Sequence, residues 1–420
     1  MRHKKLKIAI VGSGISGSTA AYLLSENHDI TVYEKNNYMG GHVNTVDVDV
    51  DGKKFAIDTG FIVFNDKTYP SFMKLLHDIG QETQNSKMSF SVKNENINLE
   101  YNGSSLNGLF SQRANIFRPS FLRMIRDIIR FNKNRHSSEN KNLSISIHEF
   151  LEKNKYSNDF TNNYLLPMAS SIWSAKQDEI LNMPVRFLLR FFDNHGLLQL
   201  KDRPQWMVIK GGSKEYLKKL SKKYMNKVYL SSRVTAIYRD EDSVEIDLDN
   251  GSKAKFDYVF IATHSDQALK ILNNPSQDEL NILSKIRYQE NVATLHTDSS
   301  FMPKSKRCWA SWNYYVGGGN SKRVNLTYCM NILQDLKSKT NFLVTLNDDG
   351  RIDRKKTIQT FNYHHPIFDN AAVKAQKDFP KINGSNRTFY VGAYWGNGFH
   401  EDGVQSAIKA HTLFKDIVNG

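Results

Sequence analysis

Apolar positions in the N-terminal part of the chain come in short blocks rather than long stripes. Leu6 to Val11 is a β-branched run that stops at Gly12, and Ser18 to Leu24 resumes with helix-compatible residues until His28 and Asp29 break the pattern. Ile30 to Glu34 is a second apolar block, so the pattern predicts strand, tight turn, helix and strand, a βαβ unit. Asp47 to Ile57 alternates around Asp51-Gly52, which predicts a β-hairpin, and Thr68 to Ile79 reads as helix. Residues from about 85 to 205 mix short strand-like and helix-like stretches. Trp206 to Lys210 then leads through Gly211-Gly212-Ser213 into a Lys-rich helix to about Lys223. Strands are expected at Val228 to Tyr238, Ser243 to Leu248 and, after the Asn250-Gly251 turn, Tyr258 to Thr263. Residues 270 to 380 are aromatic-rich and strand-like, and Thr388 to Gly392 is a last buried strand before a glycine-rich loop and a closing helix from about Gly403. No internal repeat is present. The expected fold class is α/β.

Composition narrows the class. With 420 residues, 40% apolar and 24% charged, the chain has the ordinary globular mix and room for two or three domains. The formal net charge is +14, which admits phospholipid or nucleic acid as a partner, but no nucleic-acid motif stands behind the second. Cys308 and Cys329 are too few for a disulfide framework and lack zinc-site spacing, and His364-His365 has no third ligand at metal spacing, so no metal site is expected. No apolar run reaches the roughly 18 to 20 residues of a membrane span. The basic start Met1 to Lys7 is followed by only Ile8 to Val11 before glycines begin, unlike a signal peptide. A cytoplasmic, reducing setting is the expectation.

The sharpest chemical signal is Gly12-x-Gly14-x-x-Gly17 between the first strand and the helix, with Glu34 ending the next strand. Gly12 permits the turn, Gly14 lets a pyrophosphate approach the backbone, Gly17 lets the helix pack on the sheet, and Glu34 can accept hydrogen bonds from a ribose diol. Together they predict a dinucleotide site. No second copy of this motif exists, which argues against a dedicated nicotinamide domain.

Downstream of Glu34 stand Gly40-Gly41-His42, Thr45, the hairpin and Asp58-Thr59-Gly60. This order resembles the flavin-containing amine oxidoreductase superfamily, which includes monoamine oxidases, protoporphyrinogen oxidase and phytoene desaturases. Tyr38 and His42 stand where the superfamily pattern has two arginines, leaving the pyrophosphate charge to backbone NH groups and the helix dipole. Val234, the strand Asp257 to Thr263 and the segment Gly392 to Ala407 match further superfamily features. A narrower group is similar at Ile172-Trp173-Ser174, Asn194 to Leu198, Thr263 to Leu269, Trp309 to Tyr314 and Gly398 to Gly403. These are FAD-binding proteins resembling the N-terminal part of plant cyclopropane fatty acid synthases.

The resemblance implies FAD, bound non-covalently by Gly12, Ser13, Gly14, Ile15, Ser16, Gly17, Glu34, Lys35, Gly41, His42, Thr59, Gly60, Phe61, Val234, Thr263, Gly392, Glu401, Asp402, Gly403 and Val404. It implies a Rossmann-like FAD domain assembled from 1–80, 205–270 and 384–420, and an α+β substrate domain with a mixed sheet from 81–204 and 271–383. His400 falls where amine oxidases place an aromatic cage residue beside the flavin; the alternative is a histidine closing a loop. His195 in Asn194-His195-Gly196 is either a substrate-side residue or a helix C-cap. The aromatic series Trp309, Trp312, Tyr314 and Tyr315 is core packing or, more sharply, an apolar substrate tunnel. Within the basic segment Arg113 to Arg135, the stretch Phe117 to Phe131 is amphipathic; packing is the simpler reading and peripheral contact with the inner face of a membrane the alternative.

The activity so implied is FAD-dependent hydride removal from, or double-bond chemistry on, an apolar, fatty-acyl or other lipid substrate. Two other readings stand beside it, an amine or porphyrinogen-type oxidase and a non-catalytic flavoprotein partner of a lipid-modifying methyltransferase.

Overall fold

The computed structural model describes residues 5–134, 145–196, 204–317 and 325–419. Arg135 of the basic segment, Leu197 and Leu198 after the Asn194-His195-Gly196 turn, and Met1 to Lys4 lie outside the described residues. The chain opens with β1 (Lys7–Val11), α1 (Ile15–Leu24), β2 (Asp29–Tyr33), β3 (Thr45–Val50), β4 (Lys53–Asp58), β5 (Phe64–Asn65) and α2 (Pro70–Asp78). It continues through β6 (Thr83–Asn85), β7 (Phe90–Asn94), β8 (Leu99–Asn102), α3 (Pro119–Asn134), α4 (Ile147–Lys153), α5 (Leu166–Trp173) and α6 (Val185–Asn194). Next come β9 (Trp206–Ile209), α7 (Lys214–Ser221), β10 (Val228–Tyr229), β11 (Val234–Arg239), β12 (Val244–Leu248), β13 (Lys253–Phe256) and β14 (Tyr258–Ile261). The last part holds α8 (Ser265–Ile271), α9 (Gln277–Leu283), β15 (Tyr288–His296), β16 (Trp312–Val316), β17 (Leu326–Cys329), β18 (Leu343–Leu346), β19 (Thr357–Pro366), β20 (Thr388–Tyr390) and α10 (His400–Asn419).

Two sheets carry the architecture. One is parallel with strand order β10-β2-β1-β14-β20, so segments from both ends and the middle of the chain meet in a single layer. Its central strands β1 and β14 are buried on both faces, as continuous β-branched runs require. Under it, Phe260 stacks on Phe389 with ring centroids 4.6 Å apart, and Phe414 of α10 meets both rings edge-on. The other sheet is mixed, order β19-β15-β18-β17-β16-β7-β8, antiparallel except where β16 runs beside β7. A helical layer from α3 to α6 builds a separate apolar cluster around Phe150, Phe160, Phe187 and Phe192.

The predicted elements are present with shifted edges. The hairpin β3–β4 turns at Asp51 and Gly52, both with positive φ, as a two-residue loop of this type demands. The expected single strand from Val228 to Tyr238 is two, β10 and β11, belonging to different sheets, because the chain reverses at Ser231 with φ 50°. The closing helix starts at His400, three residues before the expected Gly403.

One buried ion pair ties the three-stranded sheet β11-β12-β13 to the parallel sheet. Arg239 reaches Glu279 at 2.5 and 3.0 Å, the Tyr390 hydroxyl donates to the same carboxylate at 2.5 Å, and both charged side chains are almost fully buried. Burial alone would raise the Glu279 carboxyl, but the bonds from Arg239 and Tyr390 outweigh it and hold it below the usual range. Removing one partner leaves the other charge uncompensated in the interior. Glu279→Ala is therefore expected to cost about 3 to 5 kcal/mol in denaturant unfolding, with Arg239→Ala similar. A loss below about 1 kcal/mol would show the pair to be dispensable.

Candidate functional site

A cavity of about 720 Å³ runs from the end of the parallel sheet to the mixed sheet. One end is glycine-rich and polar. There β1 gives way to Gly12 with φ 101°, where a Cβ would lie 2.9 Å from the Ala262 oxygen, so only glycine makes this turn. At Gly17 a Cβ would lie 2.0 Å from the Gly12 oxygen. Gly14 is different: its φ is −62°, and the nearest atom to a Cβ would be 3.9 Å away. The protein's own packing does not need that glycine. A side chain there would instead fill cavity space at the N-terminus of α1, which has no side-chain cap and presents its first NH groups with their positive dipole end.

Glu34 organises this end. Its carboxylate accepts from Ser13 N at 3.0 Å, Ser13 Oγ at 2.6 Å and Asn36 N at 2.9 Å. Gly40 N in turn donates to Ser13 Oγ at 3.1 Å, which joins the first glycine loop to the Gly40-Gly41-His42 loop. Oε2 takes both bonds from Ser13, whereas Oε1 accepts only from Asn36 N and keeps a second lone pair for a ligand hydroxyl.

Imidazoles and aromatic rings line the middle. His42 stacks on Tyr363 at 4.8 Å and lies 5.2 Å from His365, while His264 stacks on Tyr288 at 4.2 Å. The Tyr363 hydroxyl accepts from Asn44 Nδ2 at 3.0 Å and lies 3.0 Å from Thr59 Oγ1. Burial, with neighbouring histidine charge, pushes His42 down to about 4 and His264 and His365 to about 3, so all three are neutral. The far end is apolar and aromatic, with Ile172, Trp173, Trp312, Tyr328, Leu346 and Phe368. Buried polar atoms of His42 (Nε2), Trp312 (Nε1) and Asn397 (Oδ1) belong to residues lining this cavity and have no hydrogen-bond partner among the described residues.

Most of the residues expected at a flavin site line this cavity: Gly12, Ser13, Gly14, Ile15, Ser16, Glu34, Lys35, Gly41, His42, Thr59, Gly60, Phe61, Val234, Thr263, Gly392 and His400. Six others do not. Gly17 is inside the α1–sheet contact, and Gly403 presses α10 against α1, where a Cβ would meet Ser16 Oγ at 2.8 Å. The Glu401 carboxylate turns away to accept from Ser71 N and Phe72 N at 3.0 and 2.8 Å, capping α2. Asp402 accepts from Phe399 N at 2.9 Å, and Val404 is core. His195 sits at the C-cap of α6: its Nδ1 lies 3.0 Å from the Phe191 oxygen, its ring stacks on Phe191, and Phe399 intervenes before the cavity. Of its two sequence readings, the helix cap is the geometry observed.

His400 is at the cavity wall as the first residue of α10, stacked on Phe61 with centroids 3.4 Å apart and with Nε2 3.0 Å from the Tyr216 hydroxyl. Burial holds it well below its ordinary value. Sequence reasoning missed Tyr363, His264, Tyr288, Arg233 and Lys270, all cavity-lining. The period-two spacing of Tyr363 and His365 was a usable signal that they share a strand face, but nothing local pointed it at His42. Among the described residues no group of three or more His, Cys, Asp or Glu side chains is arranged to hold a metal.

The model of the flavin containing amine oxidoreductase family matches residues 15–338. The chain belongs to that family. The family is one of flavin-containing oxidoreductases, and the open cradle at Gly14, the bare end of α1 and the acceptor at Glu34 suit a dinucleotide. Among curated proteins, zeta-carotene desaturase of Solanum lycopersicum is 38% identical over 82 residues, 19% of this chain. The chain spans only 13% of that desaturase's length. Two solved structures share the fold over nearly the whole chain. The CLA-producing fatty acid isomerase from P. acnes has a TM-score of 0.69 at 14% identity, covering 97% of this chain and 98% of its own. Cyclohexylamine oxidase from Brevibacterium oxydans has a TM-score of 0.69 at 14% identity, covering 99% and 100%.

The glycine contacts make the first prediction here. Gly14→Ala should leave the melting temperature of the flavin-free protein unchanged while weakening flavin by about tenfold or more, whereas Gly17→Ala should destabilise the fold itself. Fluorescence titration with FAD beside thermal unfolding separates the two, and equal FAD affinity in Gly14→Ala would show the cradle to be unused. The second concerns His195, which burial pushes to about 4. Unfolded, it titrates near 6.5, so between those values the unfolded chain binds the extra proton and stability falls as pH is lowered. Relative to His195→Phe, the wild type should lose about 2 kcal/mol between about pH 7.5 and about pH 4.5, measured by urea unfolding at each pH. A pH-independent difference would place His195 in contact with solvent.

Proposed function

We propose that this oxidoreductase acts on a long apolar chain of the fatty-acyl or related lipid class, desaturating it or moving its double bond. The observation that carries this reading is the charge of the cavity. Among its described lining residues Glu34 is the only carboxylate, it belongs to the glycine-rich end, and its oxygens already hold Ser13 and Asn36. The aromatic end offers an ammonium group no counter-ion, whereas Trp312, Tyr328, Leu346 and Phe368 offer an alkyl chain apolar surface. The names of the zeta-carotene desaturase and the fatty acid isomerase point the same way for those proteins.

In this reading Ser16 and Gly14 bind the pyrophosphate through the bare first turn of α1, and Glu34 orients the adenosine ribose. Bound flavin supplies a two-electron hydride acceptor at N5. Phe61 and His400 would form a wall that excludes water, and His400, kept neutral by burial and beside Tyr216, would serve as the transient base for the proton that leaves the carbon next to the hydride donor, one C=C bond forming for two C–H bonds broken. Double-bond migration would consume no outside acceptor, whereas desaturation would need one for the electron pair, of the class of oxygen or a quinone. We also propose that the FAD domain comprises 1–80, 205–270 and 384–420 and the substrate domain 81–204 and 271–383.

The test is anaerobic incubation of the flavin-loaded enzyme with mono- and polyunsaturated fatty acids, their phospholipid esters, and primary amines. Gas chromatography with mass spectrometry should find new or shifted double bonds in the lipid arm and no aldehyde in the amine arm. Amine turnover without lipid turnover would overturn the reading. His400→Ala, loaded with flavin, should lower the single-turnover rate by about 100-fold to 10,000-fold. A rate within a few-fold of wild type would make it a loop-closing residue.

A further inference from the structure

Helix α3 has two apolar faces, and the fold uses one. Phe121, Met124 and Phe131 point inward and are fully buried against the mixed sheet and the helical layer. Phe117 and Ile129, in the stretch the sequence marks as amphipathic, are both exposed. Six of the fourteen exposed large hydrophobic side chains among the described residues lie between Ile97 and Ile129: Ile97, Leu106, Ile116, Phe117, Leu122 and Ile129. Phe117 is 86% and Leu106 77% exposed, the two highest values among the exposed large hydrophobic side chains of the described residues.

These residues belong to one surface. Arg113 donates to Asn107 Oδ1 at 2.7 Å, fastening the segment before α3 to the short helix Leu106–Leu109. Arg118 donates to the Ile97 oxygen at 2.6 Å, fastening it to the turn between β7 and β8. The surface is also basic. From Tyr101 to Arg126 the chain has four arginines and no Asp or Glu. The nearest acids are few and occupied: buried Asp127 lies 3.7 Å from Arg126 Nε and 3.5 Å from Arg130, Glu100 accepts from Lys304 N and Ser305 N, Glu95 pairs with Lys93, and Asp159 pairs with Arg123. Arg126 projects from the outer face of α3 with its side chain 73% exposed, in line with Leu122 and Ile129 at helical spacing.

We propose that this surface docks the protein on an anionic phospholipid bilayer, with Leu106 and Phe117 entering the headgroup boundary and Arg113, Arg118, Arg126 and Lys133 facing lipid phosphates. Exposed apolar side chains ringed by cations match the two-part chemistry of such an interface, apolar below the phosphate level and anionic at it. A soluble polyanion would leave Leu106 and Phe117 with no use. The docked face is one helix away from the cavity: α3 packs on the helical segment 158–165 that continues into α5, and Trp173 at the end of α5 lines the cavity. The proposal does not depend on which substrate occupies that cavity.

The experiment is co-sedimentation of the flavin-loaded protein with vesicles of phosphatidylcholine alone, or of phosphatidylcholine and phosphatidylglycerol in equal parts. Binding is expected to the mixed vesicles, weakened by salt, and not to phosphatidylcholine alone. The double variant Leu106→Ser/Phe117→Ser should bind about tenfold or more weakly, and Arg126→Gln/Lys133→Gln about fivefold more weakly per removed cation. Flavin content and melting temperature identify folded variants, and the surface cation pair carries the test if the apolar pair misfolds. No binding to mixed vesicles, or binding unchanged in the folded variants, overturns the proposal. So does a dimer in size-exclusion chromatography that Leu106→Ser/Phe117→Ser abolishes without any vesicle binding, since the surface then belongs to a second copy of the chain.

Discussion

A Cβ at Gly17 would lie 2.0 Å from the Gly12 oxygen, one at Gly12 2.9 Å from the Ala262 oxygen, and one at Gly403 2.8 Å from Ser16 Oγ. Close approaches from the ends of β1 and β14 and from α10 thus converge around the first turn of α1 and leave no space for a Cβ at any of the three glycines. That crowding holds α1's first turn at the end of the sheet with its NH groups facing the cavity. The same turn is open on one side only, at Gly14, where nothing of the protein would come within 3.9 Å of a Cβ. Tight contact on three sides and room for a ligand on the fourth are what a dinucleotide-binding helix end requires.

Further from that turn, charge and aromatic surface divide the cavity. Glu34 is placed by hydrogen bonds to Ser13 and Asn36 rather than by an ion pair, so the loop is held by groups that also face a ligand. His42 stands where the superfamily pattern has arginine, and its partners are rings rather than carboxylates: Tyr363 at 4.8 Å and His365 at 5.2 Å. Dry aromatic surroundings keep the imidazole neutral, which a guanidinium in that place would not be. The middle of the cavity is therefore less cationic than the superfamily pattern suggests, and its far end is apolar.

α10 shows how one segment serves several ends at once. His400 lines the cavity, Glu401 caps α2, Asp402 closes the Phe399 turn, and Gly403 admits α1. Four consecutive residues project in four directions because a helix turns about 100° per residue. A motif match across all four identifies the segment without saying which side chain meets a ligand.

The sequence by itself determined the βαβ unit, the glycine pattern, Glu34 as the acidic residue after it, and the β3–β4 hairpin. Each depends on local rules: β-branched runs, the left-handed φ of Gly12, Asp51 and Gly52, and a spacing set by one strand and one helix. Tertiary structure alone decided the rest. His195 stacks on Phe191 at the C-cap of α6, outside the cavity lining, and Phe117, just before α3, is solvent-exposed while Phe121 and Met124 fill that helix's inner face. Tyr363 met His42 across more than three hundred residues of chain because β19 lies at the edge of the mixed sheet nearest the Gly41 loop. Periodicity specifies which residues share a face; which faces meet is set by long-range packing that no single stretch of sequence contains.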